Sequence, residues 1–429
     1  MSFHIVIAGD FAGANSERPS KPLEIDRDNI EAVLGRVRPS MDLPLRGADG
    51  EPLSLSVSAL DDFHPDRLHK RLPVFAAIEA TADEPPPAPP PAAPAPPPKP
   101  AGGFLDDILS TTEERLASTS QRSDWDEALH RIATGHAQPK PSAEQERREG
   151  EVQKARNLVM RAILQSPRFR AVESAWRGLD FLVRRLDTDG ELRIFLLDVS
   201  KGGLAERLAR AGDEEWNVVL ANYTFGPGEG DIAALRNLAR SAAAAEIPVI
   251  AAAHPLLLGC EDAGALSDPS EWKTLPEGTR NSWAALRRGK EAAWIGLALP
   301  RMLSRLPYGA AWSECDDFAF EEIGPGVTRD DLAWANPVFA CGAMLGQSWL
   351  DYGEADARRE LDGMLSFSWR EGGEARFQPA GEVALTDRAV EAILERGLIP
   401  VMTSKHGGEV RIPRFQSLAY PPLPLEFPG

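Results

Sequence analysis

Cysteine is scarce in this sequence. Its 429 residues include three cysteines, Cys260, Cys315 and Cys341, which are widely spaced and form no CxxC pair. An odd number of separated cysteines argues against a disulfide framework and is typical of a reducing, cytoplasmic environment. The sequence therefore predicts a cytoplasmic protein that is stabilised by its apolar core.

Long apolar runs and an excess of positive charge are also absent. No stretch approaches the roughly 18 consecutive apolar residues of a membrane-spanning helix, and "MSFHIVIAGDFAG" lacks the basic start and apolar core of a secretory signal. The formal net charge is −18. Because nucleic acids and anionic membranes attract basic patches, we expect no nucleic-acid partner and no membrane insertion.

Motifs that carry enzyme chemistry are missing as well. "GDFAG" after the first apolar run fits neither GxGxxG nor GxxxxGK[ST], so it predicts a turn. "FGPGEGD" at 225–231 predicts another turn, with Asp231 as a helix N-cap. His64 and His69 are five residues apart across Pro65, which does not place them on one helix face as a metal pair. We predict no catalytic residue, no cofactor and no metal site, and hence a protein that is not an enzyme.

Proline, in contrast, is concentrated in one segment. Residues 85–100 read "PPPAPPPAAPAPPPKP". Proline fixes φ and has no N–H to donate, so the segment predicts a disordered, polyproline-type linker over 83–102. Recognition of this segment by a proline-binding partner is the open alternative.

The residues before the linker form a first domain, 1–82. "FHIVIAGDF" predicts a buried strand, and "DRDNIEAVLGRV" predicts a helix that Asp26 caps. "PLSLSVSAL" at 52–60 alternates as a half-exposed strand, and "DDFHPDRLHKRLP" contains a short helix. The expected order is strand, helix, strand, helix.

The residues after the linker divide into two parts. Residues 103–150 are helical and charge-rich, and "FLDDILSTTEERL" has an apolar face that must dock either on the same chain or on a partner. From 151 to 429, predicted helices alternate with apolar strands such as "ELRIFLLDVS" and "IPVIAAAHP". The sequence predicts an α/β (α+β) fold with mixed sheets flanked by helices.

One helix of the last domain, "ESAWRGLDFLVRRL" at 173–186, carries an unexpected glycine. Its apolar stripe is a core face, formed by Val172, Trp176, Leu179, Val183 and Leu186. Gly178 lies off this stripe, where glycine costs roughly 1 kcal/mol relative to alanine. We therefore expect Gly178 to admit the close approach of another backbone, with the first domain as the candidate neighbour.

The same helix begins a long resemblance. "FRAVESAWRGLDFLVRRLDTDGELRIFLLDVSKGGL" resembles the large sheath protein of type VI secretion systems, TssC. The resemblance continues in order through "ANYTFGPGEGDIAALRNLARSAAAAEIPVIAAAHPLLLG", "WAALRRGKEAAWIGLALPRMLSRLPYG", "FAFEEI", "LAWANPVFACGAMLGQSW" and "GEVALTDRAVEAILERGLIPV". These segments span about 165–402.

The first domain resembles the small sheath protein of the same systems, TssB, through "FHIVIAGDFAG", "ERPSKPLEIDRDNIEAVL" and "LSVSALDDFHPDRL". The resemblance implies a fused TssB/TssC-like contractile-sheath protein, with the TssB-like half packed on and intertwined with the TssC-like half. It also implies oligomerisation with itself or other sheath subunits, and contacts with inner-tube, baseplate and AAA+ unfoldase proteins.

Two further expectations rest on the resemblance. "GFLDDIL" lies where TssC carries a helix that the unfoldase recognises, so Phe104, Leu105, Ile108 and Leu109 are the expected docking face. The TssC C-terminal sheath domain is expected to be absent after "FQSLAYPPLPLEFPG". The protein is then either a divergent sheath subunit or an accessory that caps, seeds or limits a sheath, with a non-polymerising scaffold in another contractile device as the alternative.

Overall fold

The structure, a computed structural model, describes residues 2–15, 18–19, 21–46, 51–83, 143–211, 214–324, 328–405 and 407–428. Phe104, Leu105, Ile108 and Leu109 and the proline-rich segment lie outside the described residues. The chain forms two compact units, one made of Met1–Pro73 and Asn157–Gly429 and the other of Val74–Arg156. Within the first unit, we call Met1–Pro73 the N-terminal segment and Asn157–Gly429 the main body.

The described residues contain these strands: β1 Phe3–Gly9, β2 Leu23–Ile25, β3 Ser40–Arg46, β4 Pro52–Ser56, β5 Leu192–Asp198, β6 Val218–Phe225, β7 Val249–Ala253, β8 Ile295–Leu299, β9 Met302–Leu303, β10 Trp334–Ala335, β11 Glu360–Leu361, β12 Phe367–Glu371, β13 Glu374–Gln378, β14 Ile399–Pro400, β15 Met402–Thr403 and β16 Val410–Arg411. The helices are α1 Ile30–Val37, α2 Pro65–Arg71, α3 Pro73–Asp83, α4 Ala143–Leu164, α5 Pro167–Arg185, α6 Leu204–Ala209, α7 Glu229–Ala245, α8 Glu277–Arg288, α9 Val338–Tyr352 and α10 Asp387–Glu395.

A seven-stranded sheet organises the first unit, with strand order β14-β8-β7-β6-β1-β5-β2. In this order, the first six strands, from β14 to β5, run parallel to one another. β2 forms the edge next to β5 and is antiparallel to it. Smaller sheets pair β3 with β4, β9 with β10 and β12 with β13, and a three-stranded sheet has β16 between β11 and β15. The predicted class, mixed sheets flanked by helices, is confirmed.

The apolar runs of the sequence explain the buried strands. Every residue of β1, β7 and β8 is buried. Helices cover both faces of a parallel sheet, so its strands read as continuous apolar segments without polar alternation. This is why "FHIVIAG" and "VIAAA" are recognisable as central strands.

Two local expectations needed correction. Helix α1 begins at Ile30 with Asn29 as its N-cap, not with Asp26. The Asp26 carboxylate instead accepts backbone hydrogen bonds from Asp28 and Asn29, both at 2.8 Å, and so forms the turn before the helix. The strand expected over 52–60 ends at Ser56, because a 3-10 turn follows at Leu60–Phe63.

Candidate assembly interface

The strongest contact of the N-terminal segment is a shared sheet. β1 lies between β5 and β6 of the main body, in register from Phe3↔Leu192 to Gly9↔Asp198 on one side and from Ile5↔Val218 to Ala8↔Ala221 on the other. Phe3 also stacks on Trp349 of α9, with ring centroids 5.0 Å apart. The two parts of the chain are therefore intertwined through main-chain hydrogen bonds, beyond surface packing.

Helix α5 holds the loop that follows β1. The indole Nε1 of Trp176 donates to the carbonyl of Phe11 at 3.0 Å, and the two rings meet edge to face at 5.6 Å. Phe169, two turns earlier, meets Phe63 in the same way at 5.7 Å. The predicted stripe is confirmed as a core face, since its members are at most 4% exposed: Val172, Trp176, Leu179, Val183 and Leu186.

Gly178 is also buried in α5, but its neighbour differs from the expectation. A Cβ atom at this position would lie 2.3 Å from the ring of Phe339 in α9. The close approach is made by a side chain of the main body, not by backbone of the N-terminal segment. Gly342 and Gly346 in α9 are similarly restricted. A Cβ atom at Gly342 would lie 2.4 Å from the side chain of Leu220, and one at Gly346 would lie 2.5 Å from that of Leu186. The glycines thus let two helices and the sheet of the main body pack closely.

A polar contact joins the other end of the N-terminal segment to the main body. We call it the α2 clasp: His64, Asp66 and Lys70 facing Tyr308, Asp316 and Asp317. The Asp66 carboxylate accepts the amides of Asp316 and Asp317 at 3.0 and 3.2 Å. Lys70 pairs with Asp317 at 2.8 Å, and the His64 ring meets Tyr308 edge to face at 5.0 Å. The His69 ring stacks on Phe318. Both histidines therefore pack against aromatic rings.

Buried charges lie directly behind the clasp. We call this the ionic network: Glu173, Arg177, Arg305, Tyr308 and Glu322. Arg305 donates two hydrogen bonds to the Glu322 carboxylate at 2.6 and 2.9 Å and a third to Glu173 at 2.8 Å. Arg177 bridges Glu173 at 2.8 Å and the Tyr308 hydroxyl at 2.8 Å. Two carboxylates and two guanidinium groups balance, so the network has no net charge.

Electrostatics keep Glu173 ionised inside the core. Burial alone would raise its pKa, but the charges of Arg305 and Arg177 and their hydrogen bonds outweigh burial and lower the pKa. Burial raises the pKa of Tyr308 to about 12, despite the opposing effect of both arginines. Removing one member of such a buried network strongly destabilises the folded protein, because the remaining charges stay buried without a partner. The network thus fixes how α5, the Tyr308 loop and α2 come together.

The turn "GDFAG" lies at the carboxyl end of β1, where open parallel sheets often bind ligands. Its amides are already used: the Asp198 carboxylate accepts from Phe11 at 2.8 Å and from Ala12 at 3.2 Å. Arg18 also pairs with Asp198, at 3.1 Å. A carboxylate of the chain itself occupies the position where an anion-binding loop would hold a phosphate.

The second glycine turn is satisfied in the same way. Asp231 accepts the amide of Gly226 at 2.7 Å and pairs with Lys201 at 2.5 Å. Helix α7 begins earlier than expected, with Gly228 as its N-cap, so Asp231 lies within the first turn of the helix and not at its cap. Both glycine turns are therefore structural corners of the fold.

A cleft of about 480 Å³ opens beside these turns, between the end of β6 and α5. Arg170 and Arg301 contribute to its wall. The guanidinium of Arg170 donates to the carbonyls of Leu164, Asp330 and Asp331, and Arg301 forms two hydrogen bonds with Glu382. Since both cations are engaged, the cleft has few free donors for an anionic ligand.

In the part of the chain that the structure describes, no group of three or more His, Cys, Asp or Glu residues could hold a metal ion. Across those same residues, no helix combines the length and the apolar character needed to cross a bilayer.

Sequence reasoning missed Arg305, Tyr308 and Glu322. Arg305 and Tyr308 lie in "RMLSRLPYG", much of which is buried, and Glu322 lies in "FAFEEI", where buried and exposed residues alternate. Charged residues are rarely fully buried unless they are paired, but the sequence does not show which neighbours are buried. Their partners are distant along the chain, so no local pattern identifies the network.

A family model for VipB, the EvpB tail sheath N-terminal domain, matches residues 149–215 and 209–418. A model for VipA of the type VI secretion system matches residues 1–81. The type VI secretion system sheath protein TssC1 of Pseudomonas aeruginosa is 30% identical over 286 residues, which cover 59% of this chain and 57% of that protein. The chain thus spans a little over half the length of this curated relative.

Proposed function

The chain belongs to the VipB tail sheath family and carries a VipA-type region before the VipB-type domain, and from this membership we propose that it is a structural component of a type VI secretion sheath. In this proposal one polypeptide supplies both sheath halves in a fixed ratio, and it acts by assembly without enzymatic turnover. Its partners are further copies of itself or other sheath subunits, together with inner-tube and baseplate proteins.

One observation carries the proposal. The region that matches VipA supplies β1, and the region that matches VipB supplies β5 and β6 on either side of it. Neither region can form the seven-stranded sheet alone, so the two must act as one unit. A covalent connection suits such a unit, because it raises the effective concentration of one part near the other to about the millimolar range.

Electron microscopy of the purified full-length protein tests the proposal. We expect tubules or curved sheath-like arrays, and we expect tagged protein from its source cells to co-purify with sheath, tube or baseplate proteins. Single particles that do not assemble and retain none of these partners would contradict the proposal.

The second candidate is an accessory that caps, seeds or limits a sheath, and the partial coverage of TssC1 favours keeping it in the test. An accessory would form monomers or rings and would bind the ends of tubules assembled from separate sheath proteins. The same micrographs distinguish the two, since a main subunit is incorporated along the whole tubule and an accessory only at its ends.

Recognition by an AAA+ unfoldase is part of the proposal and rests on the sequence "GFLDDIL". We expect a fluorescent peptide of residues 101–118 to bind the unfoldase, with Phe104, Leu105, Ile108 and Leu109 as the contacting side chains. A peptide in which all four are serine is the control. Equal anisotropy changes for both peptides, or none for either, would refute this part.

A further inference from the structure

An exposed turn and an aromatic groove of the first unit are complementary in chemistry. We call residues 420–424 the tyrosine turn, and the groove between β12 and the loop around Trp312 the β12 groove. We propose that the tyrosine turn of one copy of the chain docks into the β12 groove of a second copy, with Glu426 of the first copy beside Arg370 of the second. The inference is drawn from the surface of the first unit and does not rest on the proposed function.

The tyrosine turn exposes two large apolar side chains close together. Tyr420 is 65% exposed and Leu423 is 48% exposed, and Pro421 and Pro424 beside them are exposed as well. A single exposed apolar residue is normal on a soluble protein, whereas contiguous apolar surface marks a site of contact with a partner. The tyrosine turn is therefore a candidate contact surface.

The main body holds the tyrosine turn in one shape. The Ser417 amide donates to the carbonyl of Leu423 at 2.8 Å, and the Tyr420 amide donates to the carbonyl of Arg287 at 2.9 Å. The Arg287 guanidinium also lies over the Tyr420 ring, 5.5 Å from its centroid. Because the exposed side chains lie on a fixed backbone, docking would order little additional chain, and this lowers the entropic cost of binding.

The β12 groove has a volume of about 840 Å³ and mainly apolar walls. Trp312 and Trp369 line it, and their rings pack on Phe367 with centroids 5.1 and 5.4 Å from that ring. Ile323 and Ala375 add aliphatic surface. Aromatic and aliphatic walls bind tyrosine, proline and leucine side chains by removing their apolar area from water. The groove therefore suits the side chains that the tyrosine turn presents.

Charges at the two surfaces are complementary as well. Among the described residues, Arg370 is the one cationic side chain that lines the groove, and Glu426 is exposed just beyond the tyrosine turn. Within that same part of the chain, neither side chain has an ion-pair or hydrogen-bond partner. Glu321, the carboxylate in the groove wall, already accepts the Ala310 amide at 3.1 Å. The open cation of the groove and the open anion beside the turn favour a second copy of this chain as the occupant.

One copy cannot make this contact by itself. The tyrosine turn is fixed to Arg287 of α8, and none of its residues is among those that line the groove. Both surfaces belong to the same compact unit, so the fold sets their separation. A contact between unlike surfaces of two copies is heterologous, and each pair keeps one free turn and one free groove. Repeated contacts would therefore add copies in a row or a ring.

Two full-length variants with different tags test the contact. In the turn variant, Tyr420→Ser and Leu423→Ser remove the exposed apolar side chains and leave the groove intact. In the groove variant, Ala375→Glu places a carboxylate opposite Arg370 on the paired strand, where it narrows the groove and pairs with the cation. All three positions are exposed, so both variants should fold. We expect the immobilised turn variant to retain about tenfold more of the groove variant than each variant retains of itself.

A charge exchange tests the orientation of the contact. Adding Arg370→Glu to the turn variant should weaken the retention of the groove variant by up to about fivefold. Adding Glu426→Arg to the groove variant should then restore it. As a matched control, Tyr352→Ser removes an exposed aromatic side chain of α9 outside both surfaces, and it should leave the retention of wild type by wild type unchanged.

The proposal is overturned if the mixed pair and the self pairs retain equal amounts, or if the charge exchange restores nothing. Both results compare one pair of variants with another. They require neither tubules nor other sheath proteins, so failure of the proposed function gives a different result.

Discussion

The N-terminal segment meets the main body in two ways that differ in chemistry. β1 is apolar, lies in the centre of the seven-stranded sheet and pairs with a strand on each side. α2 is polar and partly exposed, and its clasp consists of carboxylate, amide and ammonium groups at 2.8–3.2 Å. Helix α5 touches both contacts, through Trp176 and through Arg177 of the ionic network.

The difference teaches which contact provides strength and which provides position. Removing apolar area from water contributes roughly 25 cal/mol per Å², without requiring a specific geometry. Exposed ion pairs contribute at most about 1 kcal/mol, but they require defined distances and partners. We infer that β1 supplies most of the free energy that joins the two parts, while the clasp and the network determine how α2 is seated.

The largest effect should come from breaking the β1 ladder. Val6 pairs with Phe195 on one side and Val219 on the other. Val6→Pro removes an amide from the centre of the sheet and clashes with the strand geometry, so we expect no folded protein. Circular dichroism and the soluble yield measure this loss.

Val6→Ala is the matched control for that variant. It keeps the backbone ladder and removes only buried side-chain area, so it should cost about 2 kcal/mol and leave a cooperative urea transition. If Val6→Pro folds with a stability similar to that of Val6→Ala, β1 is not the central strand that the fold requires.

The next largest effect should come from the ionic network. Glu173 is 1% exposed and accepts hydrogen bonds from both Arg177 and Arg305. Glu173→Ala leaves a buried positive charge in excess, which should lower the free energy of unfolding by about 3–5 kcal/mol. Asp180→Ala, which breaks the exposed pair with Arg184 on the same helix, should cost less than about 1 kcal/mol. Equal losses in urea unfolding would refute the distinction.

The pH dependence of the Glu173 contribution has a definite sign. Its pKa is lowered in the folded protein, because the arginine charges outweigh the effect of burial. The stabilisation is therefore complete above the unfolded pKa of about 4.3 and is lost as the pH falls through the lower folded pKa. We expect the stability difference between the wild type and Glu173→Gln to be constant near neutral pH and to shrink in acid. A difference that grows on acidification would contradict the assignment.

A smaller effect is expected where the main body packs on itself. Gly178→Ala places a methyl group 2.3 Å from the ring of Phe339, and overpacking of this kind costs about 1–3 kcal/mol. Alanine also gains up to roughly 1 kcal/mol of helix propensity, so the net loss should be near the lower end. Unfolding in urea measures it.

The double variant separates these two terms. In a Phe339→Ala background the clash is removed and only the propensity gain remains, so Gly178→Ala should become neutral or stabilising there. The same loss in both backgrounds would show that another neighbour restricts this position. A loss of contact between the N-terminal segment and the main body would support the interface role first expected for Gly178.

The sequence predicts elements well where the physical signal is local. The break between α4 and α5 follows from Pro167 at the first turn of α5, and the stripe through Trp176 and Leu179 follows from helical periodicity. β1 is recognisable because all its residues face a core. The N-cap of α1 was misplaced, since Asp26 and Asn29 are both capping residues and local pattern does not rank them.

Long-range arrangement could not be predicted from local pattern. Nothing in "FHIVIAG" states that it pairs with strands beginning at Leu192 and Val218; only the family resemblance implied the intertwining. The ionic network is harder still, because Glu173 and Arg305 are far apart in sequence and their burial is decided by the fold. The neighbour predicted for Gly178 was wrong for the same reason. A glycine in a helix indicates that some group packs closely against it, but the sequence does not show which group.

The smallest effect should come from the clasp. Lys70 and Asp317 are 2.8 Å apart, with the lysine side chain 59% exposed. A double-mutant cycle with Lys70→Ala and Asp317→Ala should give a coupling of about 0.2–1 kcal/mol, which falls as salt is raised because exposed charges are screened. Asp317→Ala keeps the backbone amide that Asp66 accepts, so the cycle isolates the ion pair from the rest of the clasp. A coupling that exceeds the Val6→Ala loss and resists salt would reverse the order argued for the two contacts, since the clasp would then supply strength as well as position.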